Sequence, residues 1–155
     1  VILCLRRTLA RAARRGEGGS ALVEFVFLGV LLLVPLIYLV MTLARLQAGA
    51  YAASTAAREG ARGFVTATSE DSAEPRARAA AQLALEDQGF LPADGTVSLG
   101  CDGDPCLRPE GRVEVQTTVR VPLPFVPVFA RDVVPLEVPV SATHVGVVDR
   151  FKEAP

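Results

Sequence analysis

The sequence predicts an α+β protein in which a long N-terminal transmembrane helix continues into an exported domain holding a second helix and a small antiparallel sheet. Three observations predict it. Residues 25–44 of the 155 read FVFLGVLLLVPLIYLVMTLA, twenty positions without a charge. Residues 46–63 follow without a turn signal and carry Ala at 48, 50, 52, 53, 56, 57 and 61. The last third then alternates apolar and polar side chains at the two-residue period of half-buried strands.

The first element is the apolar helix. At about 1.5 Å per residue, twenty residues span roughly 30 Å, the thickness of a bilayer core. A buried core helix is the competing reading, but the remaining chain is too small to cover a helix that is apolar all round. A cleavable secretory signal ending at Ala48-Gly49-Ala50 is another; its apolar stretch is longer than the usual roughly 7–15 residues. Charge sets the orientation. Residues 1–19 hold five Arg (6, 7, 11, 14 and 15) and Glu17, for a side-chain charge of +4. Residues 20–45 hold Glu24 and Arg45 and are neutral, and residues 46–155 carry −5. The basic head therefore stays in the cytoplasm and everything beyond Arg45 is exported. This divides the chain into a leader (1–19), a transmembrane and stalk helix (20–63) and an exported α+β domain (64–155). High alanine content favours one continuous helix from about residue 21 to 63, kinked at Pro35.

After a polar break at 64–70, EDSAEPRARAAAQLALEDQG reads as the second helix. Ser72 or Asp71 caps it, Pro75 lies in its first turn, and Gly89 ends it as the left-handed residue beyond its C-terminus. Its apolar face is mostly Ala, with Leu83 and Leu85. Residues 96–101 alternate, with Val97, Leu99 and Cys101 on one face. Residues 112–121 alternate without a fault, placing Val113, Val115, Thr117, Val119 and Val121 on one face. Residues 133–143 put Val134, Leu136, Val138, Val140 and Ala142 together, while Pro135 and Pro139 mark a sheet edge. The link PLPFVPVFARD is a loop that lays Phe125 and Phe129 onto either the core or the membrane.

Composition excludes most chemistry. The chain has one His (His144) and one Lys (Lys152). A catalytic triad must recruit that single His, and a zinc site would need it together with two Cys and a carboxylate. No phosphate-binding glycine loop occurs. No catalytic residue, metal site or cofactor is expected, and no nucleic-acid partner. His144 falls on the apolar parity of its strand and reads as a partly buried structural residue. Cys101 and Cys106 bracket the turn-rich CDGDPC, and export makes a disulfide between them the expected state. Asp102 and Asp104 are ordinary turn chemistry.

Glu24 is the most informative residue. A carboxylate at the start of an apolar span costs a few kcal/mol facing lipid, so it calls for a partner; a side chain reaching back to the headgroups is the simpler alternative. Counting from Ser20, Glu24 is position five, and Gly18 and Gly19 precede Ser20 behind the basic head. This resembles the class III signal of type IV pilins and pseudopilins, cut after the glycine on the cytoplasmic side. By that resemblance Gly19 and Ser20 form the processing site. The new α-amine at Ser20 would then leave Glu24 to pair with the α-amine of a neighbouring subunit. GSALVEF, the apolar run and then AAREGAR (56–62) are together similar to the TadE-like family of tight-adherence pilus proteins, with Phe25 where Flp-type proteins often carry Tyr. The resemblance implies a minor pseudopilin of a Flp-type pilus in the cytoplasmic membrane. Its implied partners are prepilin peptidase, other pilin or pseudopilin subunits and the assembly machinery. An uncut membrane-anchored accessory protein, or a small secreted β binding domain, are the alternatives. In AAREGAR, Arg58 and Arg62 share a helix face and Glu59 lies three before Arg62, an ion-pair patch or a solvated face.

Overall fold

The computed structural model describes residues 2–124 and 136–152, with side chains from Ala21 onward. Phe125, Phe129, Val134 and Pro135 lie outside the described residues. The first helix, α1, spans Ile2–Val65 with Pro35 inside it. It starts far before residue 21 because Leu, Ala and Arg in the head are strong helix formers. Gly16, Gly18 and Gly19 weaken the helix by only about 1 kcal/mol each. The chain forms two compact units, residues 1–41 and 42–155.

In the first unit the described side chains are exposed apart from the half-buried Tyr38: Phe25 at 75%, Phe27 at 65% and Leu32 at 70%. No part of the most apolar window of this helix is buried. A soluble core helix would be covered, so the apolar surface is available to lipid or to other helices.

The second unit is a two-layer α/β arrangement. The sheet is a meander of β1 (Gly95–Cys101), β2 (Arg112–Pro122) and β3 (Glu137–Val147), antiparallel throughout, in the order β1-β2-β3. Register places Thr117 between Val97 and Ala142. As the central strand, β2 buries its predicted inner row completely: Val113, Val115, Thr117, Val119 and Val121 are all 0% exposed. Each buried Val contributes roughly 1.5–3 kcal/mol. The Thr117 hydroxyl has no hydrogen-bond partner among the described residues, a cost this row carries.

Covering that row are α1 from residue 42 on and α2 (Glu70–Asp87). Both helices do so with small side chains. Ala52, Ala53, Ala56, Ala57 and Ala61 of α1 and Ala73, Ala77 and Ala81 of α2 are essentially inaccessible. Three glycines of α1 mark close approaches. A Cβ at Gly49 would sit 2.2 Å from Val121 Cγ2, one at Gly60 3.2 Å from Val115 Cγ1, and one at Gly63 3.0 Å from the Arg76 carbonyl oxygen.

Several sequence expectations need correction. The N-cap of α2 is Ser69, not Ser72 or Asp71. Ser72 lies one turn in, where its Oγ accepts from the Ser69 N–H at 3.3 Å and donates to the Ser69 carbonyl at 2.9 Å. The earlier start puts Pro75 past the first turn, on the exposed side, where it leaves the Asp71 carbonyl without its helical donor. Leu85 is buried at 2%, but Leu83 is 60% exposed, because residues two apart on a helix point to nearly opposite faces. Gly89 does end α2, at φ 78°: its N–H meets the Glu86 carbonyl and Phe90 N–H meets that of Leu85. β3 begins at Glu137, and Leu136, 52% exposed, precedes it. As expected, β3 is an edge strand, which accommodates Pro139. His144 is exposed although its strand parity is inward, while Val140 and Ala142 of the same row pack against the core. Cys101, at the strand end, is also exposed.

Candidate functional site

Glu24 and Phe25 lie on the exposed apolar part of α1, about 100° apart around the helix axis. One turn on from Glu24 come Phe27 and Leu28, both more than half exposed. Among the described residues the Glu24 carboxylate has no ion pair or hydrogen bond. It is a single acidic group on an apolar cylinder. The backbone at Gly19 and Ser20 is helical.

The AAREGAR segment separates into two faces. Ala56, Ala57, Gly60 and Ala61 point inward and are buried, while Arg58 and Arg62 are exposed. The inward residues are small because β2 and α2 lie against them: a Cβ on Gly60 would meet both Val115 and Ala81. Arg62 Nη1 lies 4.0 Å from Glu59 Oε2, with the side chains 75% and 41% exposed. A pair of that geometry contributes at most about 1 kcal/mol. Arg58 has no ion-pair or hydrogen-bond partner among the described residues. The geometry therefore assigns the small residues of this segment to packing and leaves its charges on the outer surface.

Cys101 and Cys106 form a disulfide that closes the loop between β1 and β2. Sequence reasoning missed what holds this loop. The Glu70 carboxylate, in the first turn of α2, accepts the N–H of Cys106 at 2.8 Å and of Leu107 at 3.0 Å. It thereby satisfies a donor on Leu107, which is 0% exposed. Glu70→Ala is expected to destabilise the sheet domain by about 1–3 kcal/mol, read as a lower urea midpoint for the detergent-solubilised chain. Lys152 was also missed: its Nζ donates to the carbonyls of Val65, at 2.9 Å, and Ala67, closing the C-terminal end of α1. A Glu at a helix start and a Lys near the chain end carry no signal of such distant partners.

Asp102 organises the outer side of the loop. Its Oδ1 accepts the Arg112 N–H at 3.0 Å and pairs with Arg108 Nη2 at 2.9 Å. The Arg112 N–H, reinforced by the Arg108 charge, holds the Asp102 carboxyl below its ordinary 3.8. With the folded value depressed, the carboxylate stabilises the loop above pH 3.8 and loses that contribution as pH falls through the folded value. Asp102→Asn is accordingly expected to melt below the parent at pH 7, with the gap closing in acid. A gap independent of pH would refute this assignment. Asp104 is exposed. No cluster of three metal-ligating side chains occurs among the described residues.

The comparison with known families falls on α1. Residues 19–62 match the family model described as TadE-like protein. The match takes in Glu24 and AAREGAR and stops before α2 and the sheet. No curated protein and no solved structure matches the chain.

Proposed function

We propose that this chain, TadE-like over residues 19–62 and thus Tad-pilus-associated, is a minor pseudopilin-like membrane subunit for assembly of a Flp-type pilus. The observation that carries this reading is the lone carboxylate of Glu24, without a partner among the described residues, near the start of an uncovered apolar helix. In this reading residues 1–19 are a cytoplasmic leader removed between Gly19 and Ser20 by prepilin peptidase. Residues 20–63 anchor and stalk the subunit in the cytoplasmic membrane, and residues 64–155 are extracytoplasmic. Glu24, at position five of the processed chain, pairs with the α-amine of a neighbouring pilin or pseudopilin. Burying both charges between helices costs less than exposing either to lipid, so the pair sets axial register. The surface charges of Arg58, Glu59 and Arg62 face outward for contact with neighbouring subunits. The role is assembly, and it uses no cofactor.

Burial in α1 argues against release by signal peptidase. A cut after Ala50 would open the helix inside its buried stretch, between Gly49 and Ala52. Intact-mass measurement or N-terminal sequencing of the membrane-fraction protein tests the proposal. Ser20 as first residue is the expected result. Tyr51 as first residue, with the protein in the medium, would sink it, and an uncut chain would leave an anchored accessory protein.

A further inference from the structure

The loop between β1 and β2 is held in place by bonds that do not involve its sulfurs. Cys101 ends β1, where it pairs in register with Val113 of the central strand. Asp102 follows: its N–H donates to the Arg112 carbonyl at 3.1 Å, and its carboxylate accepts the Arg112 N–H and pairs with Arg108. On the other side, Glu70 accepts the N–H groups of Cys106 and Leu107, and Leu107 is fully buried. Gly111 closes the base of the loop. Its N–H meets the Arg108 carbonyl and its own carbonyl accepts the Val148 N–H, both at 2.9 Å. A bridge across a separation of five residues removes little freedom from an unfolded chain, so these bonds, more than the bridge, fix the backbone. They hold the two Cα atoms 5.6 Å apart, the usual span for bonded cysteines. The surroundings of the two residues differ. Cys101 is exposed, whereas Cys106 is half-buried and packs against the core cluster that holds Leu107 and Val113.

We infer that the chain is oxidised after it folds, and through Cys101: the exposed sulfur takes the mixed disulfide with a dithiol–disulfide oxidant, and Cys106, positioned by Glu70, resolves it. Exchange proceeds by direct attack of a thiolate on a disulfide sulfur, so access decides which cysteine meets a bulky oxidant first. The Cys101 thiolate attacks one sulfur of the oxidant's disulfide. The new S–S bond forms as the oxidant's own breaks, and its second sulfur leaves as a thiolate. The Cys106 thiolate then attacks Cys101 Sγ, and the bond to the oxidant breaks, releasing the second thiolate. Two electrons pass from the cysteines to the oxidant, and the two thiol protons pass through solvent to the oxidant's thiolates. Glu70 acts on the second step alone. By fixing the backbone of Cys106 and Leu107 it keeps the resolving sulfur within reach of Cys101, so closure outpaces loss of the intermediate. The extracytoplasmic placement of residues 64–155 under the proposed function supplies such an oxidant; the order of the two sulfurs does not depend on that placement.

The test uses the purified full chain in detergent, reduced, with Cys4→Ser so that only the pair reacts, and oxidised glutathione as the probe oxidant. The reduced chain is expected to keep the far-UV circular dichroism of the bridged one; loss of the sheet signal overturns oxidation after folding. Cys106→Ser, which leaves Cys101 free, is expected to form its mixed disulfide about 10-fold faster or more than Cys101→Ser, read by intact mass. Equal rates, or a faster Cys101→Ser, overturn entry through Cys101. With both cysteines present, Glu70→Ala is expected to accumulate the glutathione adduct at Cys101, which the parent passes through without accumulation. Addition of Glu70→Ala to Cys106→Ser is expected to leave the rate of adduct formation unchanged, because the first step does not use Glu70. Glu70→Gln keeps an acceptor for only one of the two N–H groups. It is expected to fall between, and it carries the comparison should the alanine variant not fold. Closure of the bridge at the parent rate without the Glu70 carboxylate ends the positioning role. None of these steps involves a membrane or a pilus, so their failure and the failure of N-terminal processing are read separately.

Discussion

Glu24→Ala is expected to enter the membrane at the parent level and to lower pilus assembly by about 100-fold or more. The two effects separate because they depend on different states of the same carboxylate. In an isolated subunit, Glu24 lies on an exposed apolar helix and has no partner among the described residues. Removing it relieves a few kcal/mol of unfavourable transfer, and insertion does not suffer. Between packed helices the carboxylate would neutralise the α-amine of a neighbour. Deleting one member of such a buried pair costs about 3–5 kcal/mol, because the other charge stays behind without compensation. At 1.4 kcal/mol per factor of ten, that is two orders of magnitude or more. Glu24→Gln, which keeps hydrogen-bonding capacity and loses charge, is expected to fall between the two. Unchanged piliation in Glu24→Ala, with protein in the membrane fraction, would end the register role.

A single methyl group at Gly49 is expected to destabilise the sheet domain by up to about 2 kcal/mol, although it improves helix propensity. Ala is preferred over Gly inside a helix by about 1 kcal/mol. Against that gain, the added Cβ would stand 2.2 Å from Cγ2 of Val121, a fully buried side chain. Relieving such an overlap costs about 1–3 kcal/mol, and its upper range outweighs the helical gain. Gly60 provides the contrast. Its Cβ would meet Val115, Ala81 and the Ala77 carbonyl at 3.2, 3.3 and 3.4 Å, so small shifts accommodate it. Gly60→Ala is expected to leave the unfolding free energy, read from urea titration, within about 0.5 kcal/mol of the parent. Gly49→Ala with Val121→Ala should show a favourable coupling, since the second change removes the atom that clashes. Equal stability of Gly49→Ala and Gly60→Ala would mean that α1 and β2 are not in close contact at Gly49.

The alanine and glycine of AAREGAR show where reading by residue type runs out. Charges are conspicuous in a sequence, so Arg58, Glu59 and Arg62 draw attention as a patch. In the folded chain the outer pair is spaced at 4.0 Å and open to solvent on the Arg62 side, whereas the buried surface belongs to Ala56, Ala57, Gly60 and Ala61. Small residues signal close approach only once the approaching surface is known. Leu83 and Leu85 make the same point, since composition places both on an apolar face that the helical period cannot present.

What the sequence by itself determined are the features set by period and by local chemistry. They include the charge-free span, the inner row of β2, the glycine stop of α2, the edge position of β3 and the disulfide across a five-residue separation. Each is written within one element or one turn, where spacing alone decides which side chains share a face. Only the tertiary structure decided which face of α1 meets the sheet, that His144 is left exposed, and that Glu70 and Lys152 hold distant backbone. Glu70 reaches its partners across 36 and 37 residues, and Lys152 across 87 and 85. Such bonds follow from how elements pack, and a backbone N–H or carbonyl awaiting a partner is identical at every position of the chain until packing singles it out.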